Sequence, residues 1–287
     1  MPRLSTRQKI IIAQILNRIV RLGRSVVRKP MQGDFTRNGL RWHLDLNEGI
    51  DLAIYLLGAF ERDLVRCYER LIKHGDTVLD IGANIGAHTL PLARAVGPTG
   101  RVIAIEATEY AFAKLTRNIA LNPSLSPNIT AVHSLLISSQ NEPHEQLITS
   151  SWPLDKTPSK DMPLSGATKE VGNAKAQTLD CLLSALNPHT VSCIKLDVDG
   201  HELSILRGAT ELLGKYRPSV YMELAPYCYA SDMSKFEALL DIFRTANYTF
   251  RRLPSLKALP RSTEGLLNAI PKNGSINVLC NPPQGHP

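Results

Sequence analysis

The stretch that most constrains this chain is 77–86, which reads TVLDIGANIG. Two apolar residues, Val78 and Leu79, run into an acid, Asp80. Gly82 and Gly86 follow, and an apolar helical pattern continues over 87–95. A buried strand, a tight glycine turn and a helix start, in that order, form the first half of a βαβ unit. Such a turn sets backbone N–H groups and the positive end of a helix dipole against a ligand.

The spacing bears on which ligand. Dinucleotide sites use G-x-G-x-x-G, whose second glycine lets the backbone approach a pyrophosphate. Here the pattern is Gly82-x-x-x-Gly86 with Asp80 at the strand tip. A carboxylate there repels a pyrophosphate and suits a ligand with an ammonium, a sulfonium and no phosphate, such as S-adenosylmethionine (SAM). A second apolar run, RVIAIE over 101–106, ends in Glu106, 20 residues beyond Gly86. An acid in that place can take both ribose hydroxyls. The competing readings are a nicotinamide-binding Rossmann domain and an α/β fold without a ligand. The first lacks its fingerprint.

With 287 residues, 43% hydrophobic and 21% charged, the chain suffices for one large α/β domain with extensions or two small ones. No apolar run reaches the ~18–20 residues of a membrane span. Five cysteines are scattered without a C-x-x-C pair, which favours reduced thiols and a cytoplasmic setting over a disulfide framework. The net charge of +7 is local. Residues 1–30 hold eight basic residues and no acid, and removing those eight from 33 leaves 25 basic against 26 acidic. A neutral body argues against a nucleic-acid-binding face on it.

Residues 4–27 read as an amphipathic helix, with Ile11, Ile12, Ile15, Leu16, Ile19 and Leu22 as a stripe and Arg18, Arg21 and Arg24 opposite. Its apolar core is short and no small-residue cleavage site follows, so a signal peptide is not expected. Three placements are open: against its own body or a second subunit, on an anionic membrane surface, or on nucleic acid. The first is preferred, with the stripe buried around Trp42 or in a homodimer and the arginines free. Asn38-Gly39 between alternating runs predicts a β-hairpin with Trp42, Leu44 and Leu46 on one face. Helix is then predicted over 49–74.

From residue 76 the rhythm is strand 77–81, helix 86–96, strand 101–105, helix 109–121 and strand 129–133. Residues 138–176 are irregular and Pro-, Ser- and Lys-rich, as a lid or functional loop would be, with Trp152 as an anchor or a stacking group. Order returns with a short helix at 178–186, strand 192–198, helix 201–214, strand 219–224, helix 232–246 and two last strands, 248–253 and 276–281. This predicts a doubly wound, mostly parallel sheet of seven strands, one of the last two antiparallel. Residues 1–75 are expected to form an extension and 76–287 the catalytic domain.

A second constellation is KLDVDGHE, 195–202. Asp80, Glu106, Asp197 and Glu223 each end a predicted strand, and ligands of open α/β sheets sit outside those ends. Asp197, Asp199, His201 and Glu202 are metal-ligand types. Alternation along a strand turns neighbours to opposite faces, so a Mg²⁺ on Asp197 and Glu223 is only a minority reading. NPPQ at 281–284 has Gln284 where the NPPY motif of amino-group methyltransferases carries an aromatic residue, and is discounted.

These residues resemble the FkbM-type SAM-dependent methyltransferases. The resemblance rests on VLDIGANIG (78–86), VIAIEA (102–107), Leu179-Asp180, IKLDVDGHE (194–202), LRGA (206–209) and RPSVYMEL (217–224), and GAFE (58–61) also matches. It covers roughly 55–225. Asp199 stands where that family more often has Glu. The resemblance implies a class I fold and methyl transfer to oxygen, commonly a hydroxyl of a sugar or secondary metabolite. Transfer to nitrogen or protein, or a non-catalytic binding role, are the alternatives. It also implies that Gly82, Ala83, Asn84 and Gly86 line the methionine moiety, that Glu106 beside Ala107 holds the ribose, and that Ser134 and Leu135 flank adenine. Asp197 is the first candidate for a general base, His201 the second, and Glu223 is a hydrogen-bonding group for the acceptor.

Overall fold

In a computed structural model, residues 6–140, 142, 144–154 and 166–283 are described, without the side chains of residues 6, 7 and 9. The first two residues of the helix expected from residue 4, the middle of the 138–176 stretch and Gln284 lie outside them. The chain begins with α1 (Thr6–Val26) and a hairpin, β1 (Gln32–Arg37) and β2 (Leu40–Asp45). Asn38 and Gly39 at its turn both take positive φ, as the Asn-Gly signal requires. Trp42, Leu44 and Leu46 are buried together under it.

The helix predicted over 49–74 is two helices, α2 (Gly49–Leu57) and α3 (Arg62–Leu71). The apolar period continues through the break, which is why it does not show in the pattern. Gly58 caps α2 in the left-handed region, and Glu61 adopts φ +46° before α3. That strained turn aims Glu61 at the sheet.

The βα alternation follows: β3 (Thr77–Ile81), α4 (Thr89–Val96), β4 (Arg101–Glu106), α5 (Glu109–Ala120) and β5 (Ile129–Leu136). The 138–176 stretch is more regular than its composition predicts. It holds β6 (Leu147–Ser151) and β7 (Ala167–Glu170), an antiparallel pair, and β8 (Lys175–Gln177), which joins the main sheet beside β5. Then come α6 (Leu179–Leu186), β9 (Cys193–Leu196), α7 (Glu202–Arg207), α8 (Thr210–Tyr216), β10 (Ser219–Leu224) and α9 (Met233–Thr245). The chain closes with β11 (Thr249–Arg252), β12 (Lys257–Ala258), α10 (Thr263–Ala269) and β13 (Ile276–Asn281).

The predicted helix 201–214 is likewise split, at Gly208. A Cβ on Gly208 would collide with the Ile137 carbonyl, and its own carbonyl accepts the Asp180 N–H. The Asp180 carboxylate then caps α8 by accepting from Glu211 N and Leu212 N, both at 2.9 Å.

The main sheet runs β12-β11-β13-β10-β9-β3-β4-β5-β8. The seven predicted strands are all in it, and short β8 and β12 extend its edges to nine. From β10 to β8 every pairing is parallel, whereas β13 is antiparallel to both its neighbours. Alternate residues of β3 serve opposite faces. Val78 packs with α3 and α4, and Leu79 and Ile81 with α6 to α9. Both faces are covered, as a doubly wound sheet requires.

The N-terminal helix sits on its own body, but not by the face expected. The face toward the body is mainly polar, with Val20 packed beside it on the hairpin core: Asn17 donates to the Leu46 carbonyl at 2.6 Å, Arg21 to Asn47 Oδ1 at 2.8 Å, and the Arg24 guanidinium lies over Phe35. The isoleucine stripe is not buried around Trp42 and looks outward. Among the described residues, no helix is long and apolar enough to cross a membrane.

Candidate active site

The glycine turn is a conformational consequence of its sequence. Gly82, Asn84 and Gly86 take φ of +75°, +48° and +89°, a region that glycine and asparagine tolerate best. A side chain on Gly82 would strike the Asp197 carbonyl, so the turn after β3 packs directly on the loop after β9. The turn's N–H groups are spent inside the protein. Gly82 and Ala83 both donate to Ile105 O, Asn84 to Glu106 Oε2, Ile85 to Asn84 Oδ1 and Gly86 to Ala83 O. The turn therefore does not present the N–H array expected of it, and it has no nest for a phosphate. A cationic, phosphate-free ligand needs no such nest, so these residues fit SAM better than a dinucleotide.

Asp80 is wholly buried beneath the turn. Its Oδ2 accepts from Thr89 Oγ1 at 2.6 Å, and Oδ1 lacks a hydrogen bond but lies 3.6 Å from Lys195 Nζ. The Lys195 ammonium also donates to Gly82 O at 3.1 Å and stands 3.6 Å from Asp197 Oδ2. Asp80 thus braces the turn from below through the field it shares with Lys195, instead of lining an open surface.

Glu106 ends β4 at the same rim. Its Oε1 accepts from Thr108 N and Oγ1, and its Oε2 from Asn84 N. A carboxylate has about four acceptor sites, so one remains, on Oε2. Glu106 can accept one ribose hydroxyl and hold the turn, instead of taking two hydroxyls. Ser134 and Leu135 lie inside β5, not after it, because β8 pairs with that end. The Ser134 hydroxyl is committed, donating to Lys175 O and accepting from Gln177 Nε2. Leu135 is buried with Ile137 and Val171, and Ala107 packs against this cluster.

On the other side of the turn lies a narrow pocket, with room for about one water, walled by Glu61, Lys195, Asp197, Tyr221, Glu223 and Asn277. The strand ends at Leu196, and Asp199 (φ +48°) and Gly200 (φ +104°) bend the chain back. Strand alternation therefore does not apply. Asp197, Asp199 and Glu223 bring ligand oxygens within 4.8 Å of one another, and they are the described residues placed to share a cation. Burial, then the Asp197 charge, pushes Glu223 up to about 8, against a hydrogen bond from Ser275. Asp199 is raised by the same causes, but it stands on an exposed turn where water screens it.

His201 is the N-cap residue of α7, and its backbone carbonyl accepts the Ile205 N–H. It is not in the pocket wall. Glu202 turns inward, accepting from Val198 N, Gly200 N and the Tyr229 hydroxyl. It fixes the shape of the 197–200 loop.

Several contributors escaped the sequence. Glu61 Oε1 accepts from Asn277 Nδ2 at 2.8 Å, and its Oε2 lies 3.4 Å from His88 Nε2, whose ring also meets the Tyr68 hydroxyl. Lys195 sits beside the strand-end acid, and Glu61 closes the GAFE match at 58–61; those were the available signals. The β6 end covers the Glu106 side of the turn: Asn84 Nδ2 donates to Ser150 O at 3.1 Å. Since Thr108 Oγ1 gives its proton to Glu106, Ser150 Oγ must donate to Thr108 Oγ1, 2.7 Å away. One residue on, Ser151 and Trp152 N donate to Glu48, and Trp152 O accepts from Gly49 N. Trp152 is anchored through its backbone.

Among solved structures, the chain is similar to methyltransferase FkbM from Methylobacillus flagellatus KT (16% identity, TM-score 0.45), covering 74% of this chain and 47% of that one, so it spans about half that protein's length. It is also similar to a SAM-dependent O-methyltransferase from Thermotoga maritima (13% identity, 92% and 81% covered, TM-score 0.42). A third is the precorrin-6y C5,15-methyltransferase from Geobacter metallireducens GS-15 (10% identity, 77% and 88% covered, TM-score 0.42). No curated protein matches the chain. The methyltransferase FkbM domain model matches residues 80–251, from the acid of the glycine turn through β11. That match spans more than half of the chain, which belongs to the FkbM methyltransferase family.

Proposed function

We propose that the enzyme methylates a hydroxyl oxygen of a small acceptor, a sugar or secondary metabolite, with Asp197 as general base. The observation that carries this reading is the carboxyl pair at the mouth of the pocket. Asp197 is partly exposed beside Lys195, and burial with the Asp197 charge pushes Glu223 up to about 8. Such a pair offers one acceptor and one donor at neutral pH. An alcohol nucleophile needs its proton removed as the bond forms, which an amine attacking through its lone pair does not.

When bound, SAM supplies a methyl group on a sulfonium sulfur. Gly82, Ala83, Asn84 and Gly86 shape its seat, and Glu106 Oε2 accepts a ribose hydroxyl. Asp197 takes the proton of the acceptor hydroxyl, Glu223 donates to the acceptor's neighbouring oxygen, and Glu61 and Asn277 limit its position. The protein's main contribution is to hold donor and acceptor in line.

The test is incubation of the enzyme with methyl-labelled SAM and extracts fractionated by size, followed by mass spectrometry of labelled products. The label should appear as a methyl ether on a small hydroxylated molecule. Label on nitrogen or on polypeptide would overturn the proposal.

A further inference from the structure

Helix α1 shows the solvent its apolar side. At 100° per residue, Ile11, Ile12, Ile15, Ile19, Leu22 and Val26 fall within an arc of about 100°, and all six are exposed, Ile19 at 61%, Leu22 at 70% and Val26 at 77%. Asn17, at the centre of the opposite face, is 2% exposed and bonded to the Leu46 carbonyl. The mounting is specific. Arg21 donates to Asn47, and Arg24 donates to the Pro30 carbonyl while covering Phe35. Side-chain hydrogen bonds, with Val20 packed on the hairpin core, hold that face against the body, and the apolar arc is turned outward.

An exposed apolar stripe of this length needs a cover. The charge around it says which. Arg18 borders the arc and is exposed, as are Arg28 and Lys29 just past the helix end. The first 30 residues contain eight basic residues and no acid. In a two-fold dimer the same patch faces itself, so a second copy would bring two such segments together without an acid to pair them. A surface of anionic lipid headgroups over acyl chains complements both features, taking the arc into the headgroup boundary and the flanking cations at the phosphate level. We infer that α1 is an in-plane anchor that docks this methyltransferase on an anionic membrane surface.

Vesicle co-sedimentation of the full chain tests this, with phosphatidylcholine vesicles against vesicles containing a third phosphatidylserine. The full chain should bind the anionic vesicles more tightly by roughly tenfold or more, and added salt should weaken the binding. The Ile15→Gln/Ile19→Gln/Leu22→Gln variant should lose that binding and keep SAM affinity by calorimetry, since the three residues face solvent. No preference for anionic vesicles, or equal binding by the triple variant, would overturn the inference. So would a wild-type dimer that becomes monomeric in the triple variant without loss of vesicle binding, because the arc would then be a subunit interface.

Discussion

In the proposed mechanism Asp197 and Glu223 divide the chemistry between two carboxyls that differ in surroundings. Asp197 lies on a loop with Lys195 at 3.6 Å, and Glu223 is set deeper in β10 with the Asp197 charge against it. Replacing Asp197 with Asn keeps the shape and removes proton acceptance. Turnover should fall roughly 10²–10⁴-fold while SAM affinity stays near wild type; normal turnover would make Asp197 structural. Glu223 makes a separate prediction about stability. Its proton is retained when folded to about pH 8, whereas an unfolded glutamate releases it near pH ~4.3. Between those values the folded state binds more protons, so this group's stabilising contribution, complete at low pH, is lost as pH rises through about 8. The unfolding temperature should therefore drop across that window, and Glu223→Gln should flatten the drop. A slope unchanged in the variant would show that Glu223 ionises freely in the folded protein.

At the scale of elements, the strands that carry the site were legible because each is a short apolar run with an acid at or next to its end: Asp80 in β3, Glu106 in β4, Glu223 in β10. What the pattern could not show were the breaks. The apolar period runs on through Gly58 and Gly208, yet the first break places Glu61 in the pocket wall and the second lets Asp180 cap α8. Nor could it show that the chain bends at Asp199 and Gly200, which brings together carboxylates that strand alternation would separate. The strands β6 and β7 are short and half-exposed, so they carry almost no period. Long-range polar clamps were equally silent. Buried Asn118 on α5 accepts the His43 N–H of the hairpin and donates to the Ile85 carbonyl of the glycine turn. Asn118→Ala would leave both groups unpaired in the core, at ~2–4 kcal/mol, and chemical denaturation should register that loss. A cost within a few tenths would mean that water reaches this junction.

Over the whole molecule, the hairpin and the first helices behave as a buttress on one side of the sheet. Trp42, Leu44 and Leu46 share a core with Ala83, Ile85 and Leu90 of the turn and α4, and Asn47 accepts from both α1 and Leu154. Sequence reading found the amphipathic helix and not its orientation, because periodicity shows that a helix has two faces and leaves open which one finds hydrogen-bond partners. Here Asn17 met the free carbonyl of Leu46. The proposed SAM seat nevertheless turns on one junction, where Glu106 holds the Asn84 amide and keeps a single acceptor site on Oε2. Isothermal calorimetry of SAM binding to wild type and Glu106→Ala tests that junction most directly. The account predicts that wild type binds and that the variant binds more weakly by ~1.5–3 kcal/mol, the scale of losing a charge-assisted partner. Absence of SAM binding to wild type, or unchanged affinity in Glu106→Ala, would contradict it.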